Sequence, residues 1–380
     1  AADLVERLPA ALEHQFGSPV PIREQHHGRY GTAELELELP PERGGTWLLD
    51  LASARQESYP RPGANPVVSP GSLEQDLARR DFTVNAMALV LNPFGSGGGA
   101  ELELLDPFGG QVDLARRQLR FLHPQSLRDD PTRLLRAARY AARLAFDLAP
   151  EALDQVTATL LGWPWDWRLG DDPSQAPPAL GTRLRMELEL LLEREPHQEA
   201  LRALQRWQAL ELLDPQLQRD SRWHGRLHWA RRLGVPLLLA LVANAHDSVA
   251  LASRLRLPAI QQRWLHQLAV LEGLLEQTVR PDTPSGWTFL CESPGLAAQV
   301  IALWLIAGRP CRSPLLRWWL RWRHVASPLT AHQLIASEGL EPGPAMGKRL
   351  RELRAIRLDQ DVYCRRARAW AEFIGAEPAD

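Results

Sequence analysis

Strand signals in this chain stop after its first third, and beyond about Asp113 the periodic segments have helical spacing. Thr32 to Leu39 alternates Ala33, Leu35, Leu37 and Leu39 against Glu34, Glu36 and Glu38, the pattern of a half-buried strand. Trp47 to Ala52 is a second apolar run of strand length. Val90-Leu91 and Glu101 to Leu105 are a further pair of strands around the glycine run Gly95 to Gly99. Leu4 to Leu12 reads as a helix stopped at Phe16-Gly17, Ser58 to Ser72 as a long loop, and Leu73 to Leu89 as a helix. Pro131 to Phe146 is strongly periodic, with Asp129-Asp130 at the expected cap. A Trp- and Pro-rich segment, Gly162 to Pro178, then interrupts the pattern as a surface insertion. Arg183–Glu193, Glu199–Leu213, Leu233–Ala245, Ile260–Leu275 and Leu296–Ala307 follow as amphipathic helices. A chain so ordered is α+β, a small α/β head followed by a long all-helical body, and no repeat period marks a solenoid.

The 380 residues exceed one typical domain, so two or three compact units are expected. No apolar run reaches the roughly 18 residues of a membrane span. The three cysteines, Cys291, Cys311 and Cys364, are far apart and odd in number. They suit a reducing cytoplasm and fit neither a disulfide framework nor zinc-type spacing. A net charge of −2 argues against wholesale coating of nucleic acid, although a balanced total can hide a basic face. The basic charge is nearly all arginine, Lys348 being the only lysine. The chain opens on Ala1 with no signal segment behind it, which reads as an interior point of a longer protein.

Two stretches combine residue types that suit a nucleotide. In Arg79-Arg80-Asp81-Phe82-Thr83-Val84-Asn85-Ala86-Met87-Ala88, arginines offer donors to phosphate or ribose oxygens and Asp81 an acceptor to a sugar hydroxyl. The same residues also fit a capped helix start with surface arginines. In the second stretch, Arg128-Asp129-Asp130-Pro131-Thr132-Arg133, spacings of three and four place Arg133, Arg136, Arg139 and Arg143 near one helix face. Such a cluster repels itself unless an anion lies against it. Asp130 and Arg133 together present an acceptor and a donor pair to a base edge, and a solvated basic helix is the alternative. Ala245-His246-Asp247 has the look of a metal-phosphohydrolase signature, but no further ligands stand at suitable spacing, so a helix-end histidine is expected. His26-His27 reads as a surface pair.

Taken together, these motifs resemble the class II nucleotidyltransferases: CCA-adding, CC-adding and A-adding enzymes and bacterial poly(A) polymerases. Arg79 to Ala88 is similar to the family's RRDFTxNAxA motif, Asp129 to Arg133 to its EDxxR motif, and Leu135 to Tyr140 to the continuation. Asp106 to Leu114 resembles the linking motif between them, and Asp50 to Arg55 the strand bearing a third acidic residue. Gly343-Pro344-Ala345-Met346-Gly347 resembles a helix start near the end of several members. Departures are Asp129 in place of Glu and Ala145 where members often have Gly. The Gly-Gly-x-Val-Arg-Asp element and the Asp-x-Asp metal strand are not found. Ala2 to Leu12 aligns with the helix after that strand, which places the metal pair upstream of Ala1.

The resemblance implies a polymerase-β-like head over residues 1–115, a helical neck over 116–195, and an RNA-binding body and tail over 196–380. It implies that Arg80 and Asp81 meet the ribose and phosphates of an incoming nucleotide, with Asn85 in support. Asp130 and Arg133 would read the base, and Arg136 and Arg139 would hold phosphates or the base plane. Asp50 would be the catalytic and metal-facing carboxylate, and Gly343, Gly347, Lys348 and Arg349 would touch RNA. Further basic residues at Arg351, Arg354, Arg357, Arg365, Arg366 and Arg368 are candidates for the same surface. The implied reaction is attack of an RNA 3′-hydroxyl on the α-phosphate of ATP or CTP with Mg2+, on the tRNA acceptor end, releasing pyrophosphate. Without the metal aspartates the chain alone should bind nucleotide weakly and catalyse poorly. Poly(A) tailing and a non-catalytic RNA-binding relative are the rival readings.

Overall fold

The computed structural model describes residues 2–17, 20–27, 32–39, 41–92, 101–277 and 280–360. They form two compact units. The first runs from the chain start to Arg168 and adds Pro177–Glu187 and Glu195–Ala209; the second takes Leu169–Ala176, Leu188–Arg194 and the described residues from Leu210 onward.

The first unit begins with helix α1 (Ala2–Phe16), so Ala2 to Val5 is not a strand, as the helical alignment requires. Strands β1 (Ile22–His27), β2 (Thr32–Glu38) and β3 (Thr46–Ala52) form an antiparallel sheet in that order. Register sets Leu37 beside Ile22 and Trp47, and Leu35 beside Leu49. The alternation in β2 therefore puts Ala33, Leu35 and Leu37 in a core with Val5, against which Leu8, Leu12, Leu49 and Leu51 pack. The glutamates face out with Asp50, whose cross-strand partner is Glu34.

Next come β4 (Arg55–Ser58), β5 (Val67–Pro70), α2 (Leu73–Ala78), β6 (Ala88–Asn92), β7 (Glu101–Leu105) and α3 (Gly110–Arg116). Two-residue strands β8 (Gln118–Leu119) and β9 (Asp147–Leu148) pair in parallel and bracket α4 (Ser126–Asp129) and α5 (Thr132–Leu144). Helices α6 (Pro150–Gly162), α7 (Thr182–Arg194) and α8 (His197–Arg206) follow, α7 passing from the first unit into the second.

Three expectations change here. The loop Ser58 to Ser72 contains a strand, since the β-branched Val67-Val68 pair with Glu57 and Ser58 in a hairpin. The helix expected over Leu73 to Leu89 ends at Ala78. Past it, Phe82 is fully buried, Thr83 donates its N–H to the Arg120 carbonyl, and Asn85 Oδ1 accepts the Phe82 N–H at 3.1 Å. Tertiary burial, a local side-chain bond and a single 3-10 turn at Thr83–Asn85 thus replace α-helical bonds over Arg80 to Met87. Gly110 permits the crossing, because a Cβ there would overlap the Thr83 carbonyl and come within 2.9 Å of Met87 Cγ. The Gly162 to Pro178 segment is no surface insertion throughout: Trp165 and Trp167 are buried, and Trp165 Nε1 donates to the Arg128 carbonyl at 3.0 Å. Gly63 sits against Trp165 with φ +72° and donates its N–H to the Asp129 carbonyl. The glycine run Gly95 to Gly99, the side chains of His26 and His27, and Arg365, Arg366 and Arg368 lie outside what the structure describes.

The second unit is helical among its described residues: α9 (Pro215–Arg219), α10 (Trp223–Leu233), α11 (Leu237–Val242), α12 (Ser248–Arg254), α13 (Ala259–Gln277), α14 (Pro284–Cys291), α15 (Ala298–Ala307), α16 (Arg312–Leu320), α17 (Ala331–Glu338) and α18 (Pro344–Asp359). The expected helix Leu233 to Ala245 is broken where Gly234 closes α10 in the left-handed region and Pro236 precedes α11. Helix α15 is apolar all round and buried from Val300 to Ile306, with α10, α11, α13 and α16 against it. Among the described residues no helix is long and apolar enough to cross a membrane.

Candidate functional site

The first unit holds a cleft of about 880 Å³ whose walls come from β4, β5, the Arg79–Asn85 stretch, α5 and the start of α7. Six arginines line it (Arg55, Arg79, Arg80, Arg133, Arg136 and Arg183) against three carboxylates, Glu57, Asp81 and Asp130. An excess of guanidinium in a concave wall attracts an anion with several negative oxygens.

The two sequence stretches meet here. Asp81 binds Arg133 Nε and Arg136 Nη2 through Oδ1, both at 3.0 Å. Arg133 is 2% exposed, and its other donors reach the Ser126 and Arg79 carbonyls and the ring of His123. Burial and the Arg133 charge push the His123 pKa down. Asp130 is also buried. Its Oδ1 accepts from the Thr132 N–H at 3.1 Å and hydroxyl at 2.5 Å, and its Oδ2 from Arg136 and Arg183. Burial alone would raise its carboxyl pKa, but Arg136 and Arg183 outweigh it and hold it below the ordinary aspartate range. A base edge presented to Asp130 and Arg133 must exchange with, or add to, these bonds.

Other predicted residues fall differently. Arg80 keeps a half-open side chain in the cleft and donates once, to Asp76 Oδ2 at 2.9 Å. Asp76 is buried, yet the Arg79 and Arg80 guanidiniums overcome that burial and hold its pKa down. Asn85 lines the cleft while its oxygen fixes the Phe82 N–H. Arg139 is not among the lining residues; it spans Glu187 at 2.6 Å and Glu195 at 3.3 Å, and Arg143 also binds Glu195. Asp50 is exposed on the sheet and is likewise outside the cleft lining. Among the described residues no three His, Cys, Asp or Glu gather as a metal set, so Asp50 and its neighbour Glu34 do not make a magnesium shell alone.

Several cleft groups carried no sequence signal as site residues. Tyr59 sits in the loop, its ring 5.9 Å from the Arg133 guanidinium, and burial with Asp130 nearby pushes its phenol up to about 12. Glu57 ties Arg55 and Arg79 at 3.1 and 3.0 Å. Arg183 and Glu187, one turn apart on α7, reach Asp130 and Arg136 respectively. An Arg-x-x-x-Glu pair at helix spacing was the available clue, and nothing in it names a partner about fifty residues away.

In the second unit, Gly343 to Arg349 does start a helix, α18, with Gly347 and Lys348 exposed. Arg349 is bound to Glu338 at 2.9 Å and to Glu352, and Arg354 to Glu292 at 2.6 Å. His246 and Asp247 stand where expected for a helix end: Asp247 caps α12 by accepting the Ala250 N–H at 2.8 Å, and the His246 N–H goes to Asp214.

Residues 4–120 match the poly A polymerase head domain. The CC-adding tRNA nucleotidyltransferase of Deinococcus radiodurans is 35% identical over 351 residues, 90% of this chain and 76% of that protein. The A-adding tRNA nucleotidyltransferase of Aquifex aeolicus is 48% identical over 120 residues, 32% of this chain and 13% of that one. A CCA-adding enzyme in an apo form shares the fold with a TM-score of 0.65 at 24% identity, covering 93% of this chain and 81% of that one. With a polymerase head followed by a helical body, and a relative of that identity over most of its length, this chain belongs to the tRNA nucleotidyltransferase and poly(A) polymerase family of transferases.

Proposed function

We propose that this protein adds C, A or both to the 3′ end of tRNA, using CTP and ATP without a template. The observation that carries the reading is the cleft, where six arginines outnumber three carboxylates around the paired motifs. A triphosphate supplies the missing negative charge, with Arg80 the most open donor to it. Asp130 and Arg133, held rigidly by Thr132, Asp81 and backbone carbonyls, are the groups for the base edge, and Asp81 and Asn85 stand beside them for the ribose. Arg136 backs the phosphate side, while Arg139 positions it through their shared Glu187. Magnesium is expected with the nucleotide, Asp50 offering one carboxylate on the sheet. The helical body binds the tRNA by shape and backbone, with Gly343, Gly347, Lys348 and Arg349 as one contact. The domain reading of head, neck over 116–195 and RNA-binding body carries over with it.

The test uses the full-length protein, magnesium, labelled CTP or ATP, and tRNA transcripts lacking all of CCA, its last two nucleotides or only the final A. Extension that stops within CCA supports the proposal, and the acceptors used define C-addition, A-addition or both. Long A tails on unrelated RNA would mean tailing instead. No incorporation together with no nucleotide binding would overturn it.

A further inference from the structure

Between Glu292 and Glu338 the chain carries no aspartate or glutamate, yet it holds five arginines at 309, 312, 317, 321 and 323. Acids and bases are nearly equal over the whole sequence, 46 against 44, so this stretch is a local imbalance. Its centre is α16 and the turn after it. The opposite condition holds on α18, where Arg349 and Arg354 are taken by Glu338, Glu352 and Glu292. Of the five, Arg309 pairs with Glu272, Arg321 is also engaged, and Arg323 Nε donates to the His324 ring at 3.1 Å. Among the described residues, Arg312 and Arg317 have no carboxylate within ion-pair distance, and both are exposed, as is Arg232 on α10.

Two of these, Arg232 and Arg312, lie on an indole, as does Arg323. Arg232 and Arg312 lie over the Trp229 ring at 5.9 and 5.6 Å, bridging α10 to α16, and Arg323 stacks on Trp319 at 4.0 Å. A guanidinium stacked on an aromatic face has its plane fixed while its edge still donates, so less freedom is lost when it meets a phosphate. Partly exposed indoles beside it also suit stacking on nucleobases. Helices α10 and α16 themselves carry no acidic residue, and their exposed guanidiniums and flat rings fit a phosphodiester chain.

We infer that the α10–α16 face of the second unit, built on Arg232, Arg312, Arg317, Arg323, Trp229 and Trp319, is the main electrostatic contact for an RNA backbone. This rests on the reading that RNA is the substrate, and it names a different set of arginines from the ion-paired ones of the tail helix, whose Arg354 shares Glu292 with Trp318 of α16. Each phosphate contact removed should lower the salt dependence of binding by about one in log–log slope.

The experiment is fluorescence anisotropy of labelled tRNA with the full-length protein across a salt series. The triple variant Arg232→Gln/Arg312→Gln/Arg317→Gln should keep the wild-type melting temperature, bind at least about tenfold more weakly near 0.1 M salt and lose a slope of about 2–3. The corresponding triple lysine variant should keep most of the slope and recover part of the affinity. In steady-state addition, the glutamine triple should raise KM for tRNA with kcat little changed. A triple that binds tRNA like wild type, with an unchanged slope, overturns this inference and leaves the proposed function standing. Loss confined to Lys348→Gln/Arg349→Gln overturns it in favour of the tail helix. Loss of binding to phosphatidylserine vesicles with tRNA binding intact overturns it in favour of a membrane contact. Wild-type protein that binds no tRNA at all removes the RNA reading itself.

Discussion

Asp130→Asn isolates the charge at the centre of the cleft while keeping the side chain's size. The wild-type carboxylate divides its work between two oxygens. One holds the start of α5 through the Thr132 N–H and hydroxyl; the other accepts from Arg136 and Arg183. An amide has a single oxygen. If it stays on Thr132, its NH2 faces two guanidiniums; if it flips, the helix start loses an acceptor, at about 1 kcal/mol. In either pose two charge-assisted bonds are lost or weakened, each worth roughly 1.5–3 kcal/mol. Arg136 keeps Asp81 and Glu187, so its charge is not orphaned, which places the total near about 3 kcal/mol and below the worst buried-pair losses of about 3–5 kcal/mol.

Urea unfolding of wild type and variant at pH 7, 5 and 4 checks both size and sign. Asp130 has a pKa below its ordinary value when folded, so its contribution is complete above the unfolded aspartate pKa of about 3.9 and is lost as pH falls towards the depressed folded value. The gap between the proteins should therefore be constant from pH 7 to 5 and begin to close only near and below pH 4. A gap under about 1 kcal/mol at pH 7, or one that already halves by pH 5, would refute the view that Asp130 is a buried, doubly paired carboxylate. CTP and ATP affinity should fall in the same variant, checked by isothermal titration.

Two further changes test single statements about the backbone. Ala145 ends α5 with φ +54°, where a Cβ costs about 1–2 kcal/mol, so Ala145→Gly should raise stability by roughly 0.5–1 kcal/mol after the entropy of glycine is allowed for; thermal melting that drops would contradict it. Asp247→Ala should cost about 1 kcal/mol through the lost cap on α12 and leave nucleotide addition and metal content unchanged; elemental analysis showing metal in wild type and none in the variant would restore the phosphohydrolase reading.

What the sequence made legible here follows the range of the interactions. Strand β2 reads correctly because its alternation is satisfied locally, one face on α1 and one in solvent. Helix α5 reads nearly correctly because its period lies within the segment; its N-cap is Pro131 without a side-chain bond, and Asp130 instead accepts the N–H of Thr132, the first helical residue. The stretch from Leu73 to Leu89 misleads, since what stops α2 is Arg120, Gly110 and Phe121, all between 21 and 32 residues beyond Leu89. Tyr59 and Arg183 were invisible for the same reason: each is ordinary in its own segment and acquires a role only from Asp130 and Arg133.

The arginines of α5 show how such distant partners bear on function. Four guanidiniums along one helix repel one another, and the expectation was that something anionic must lie against them. In the folded chain that anion is largely internal: Asp81 and Asp130 for Arg133 and Arg136, Glu187 and Glu195 for Arg136, Arg139 and Arg143. Internal neutralisation lets the cluster exist before any nucleotide arrives, and it fixes each guanidinium in place. It also stops short of completion. Arg55, Arg79, Arg80 and Arg183 add four positive charges to the cleft against Glu57 and, behind Arg79 and Arg80, Asp76, so the proposed triphosphate can meet the half-open Arg80 without first breaking the α5 network. Arg80 is thus the cleft arginine with the most open side chain, and the α5 arginines hold Asp130 and Asp81 still.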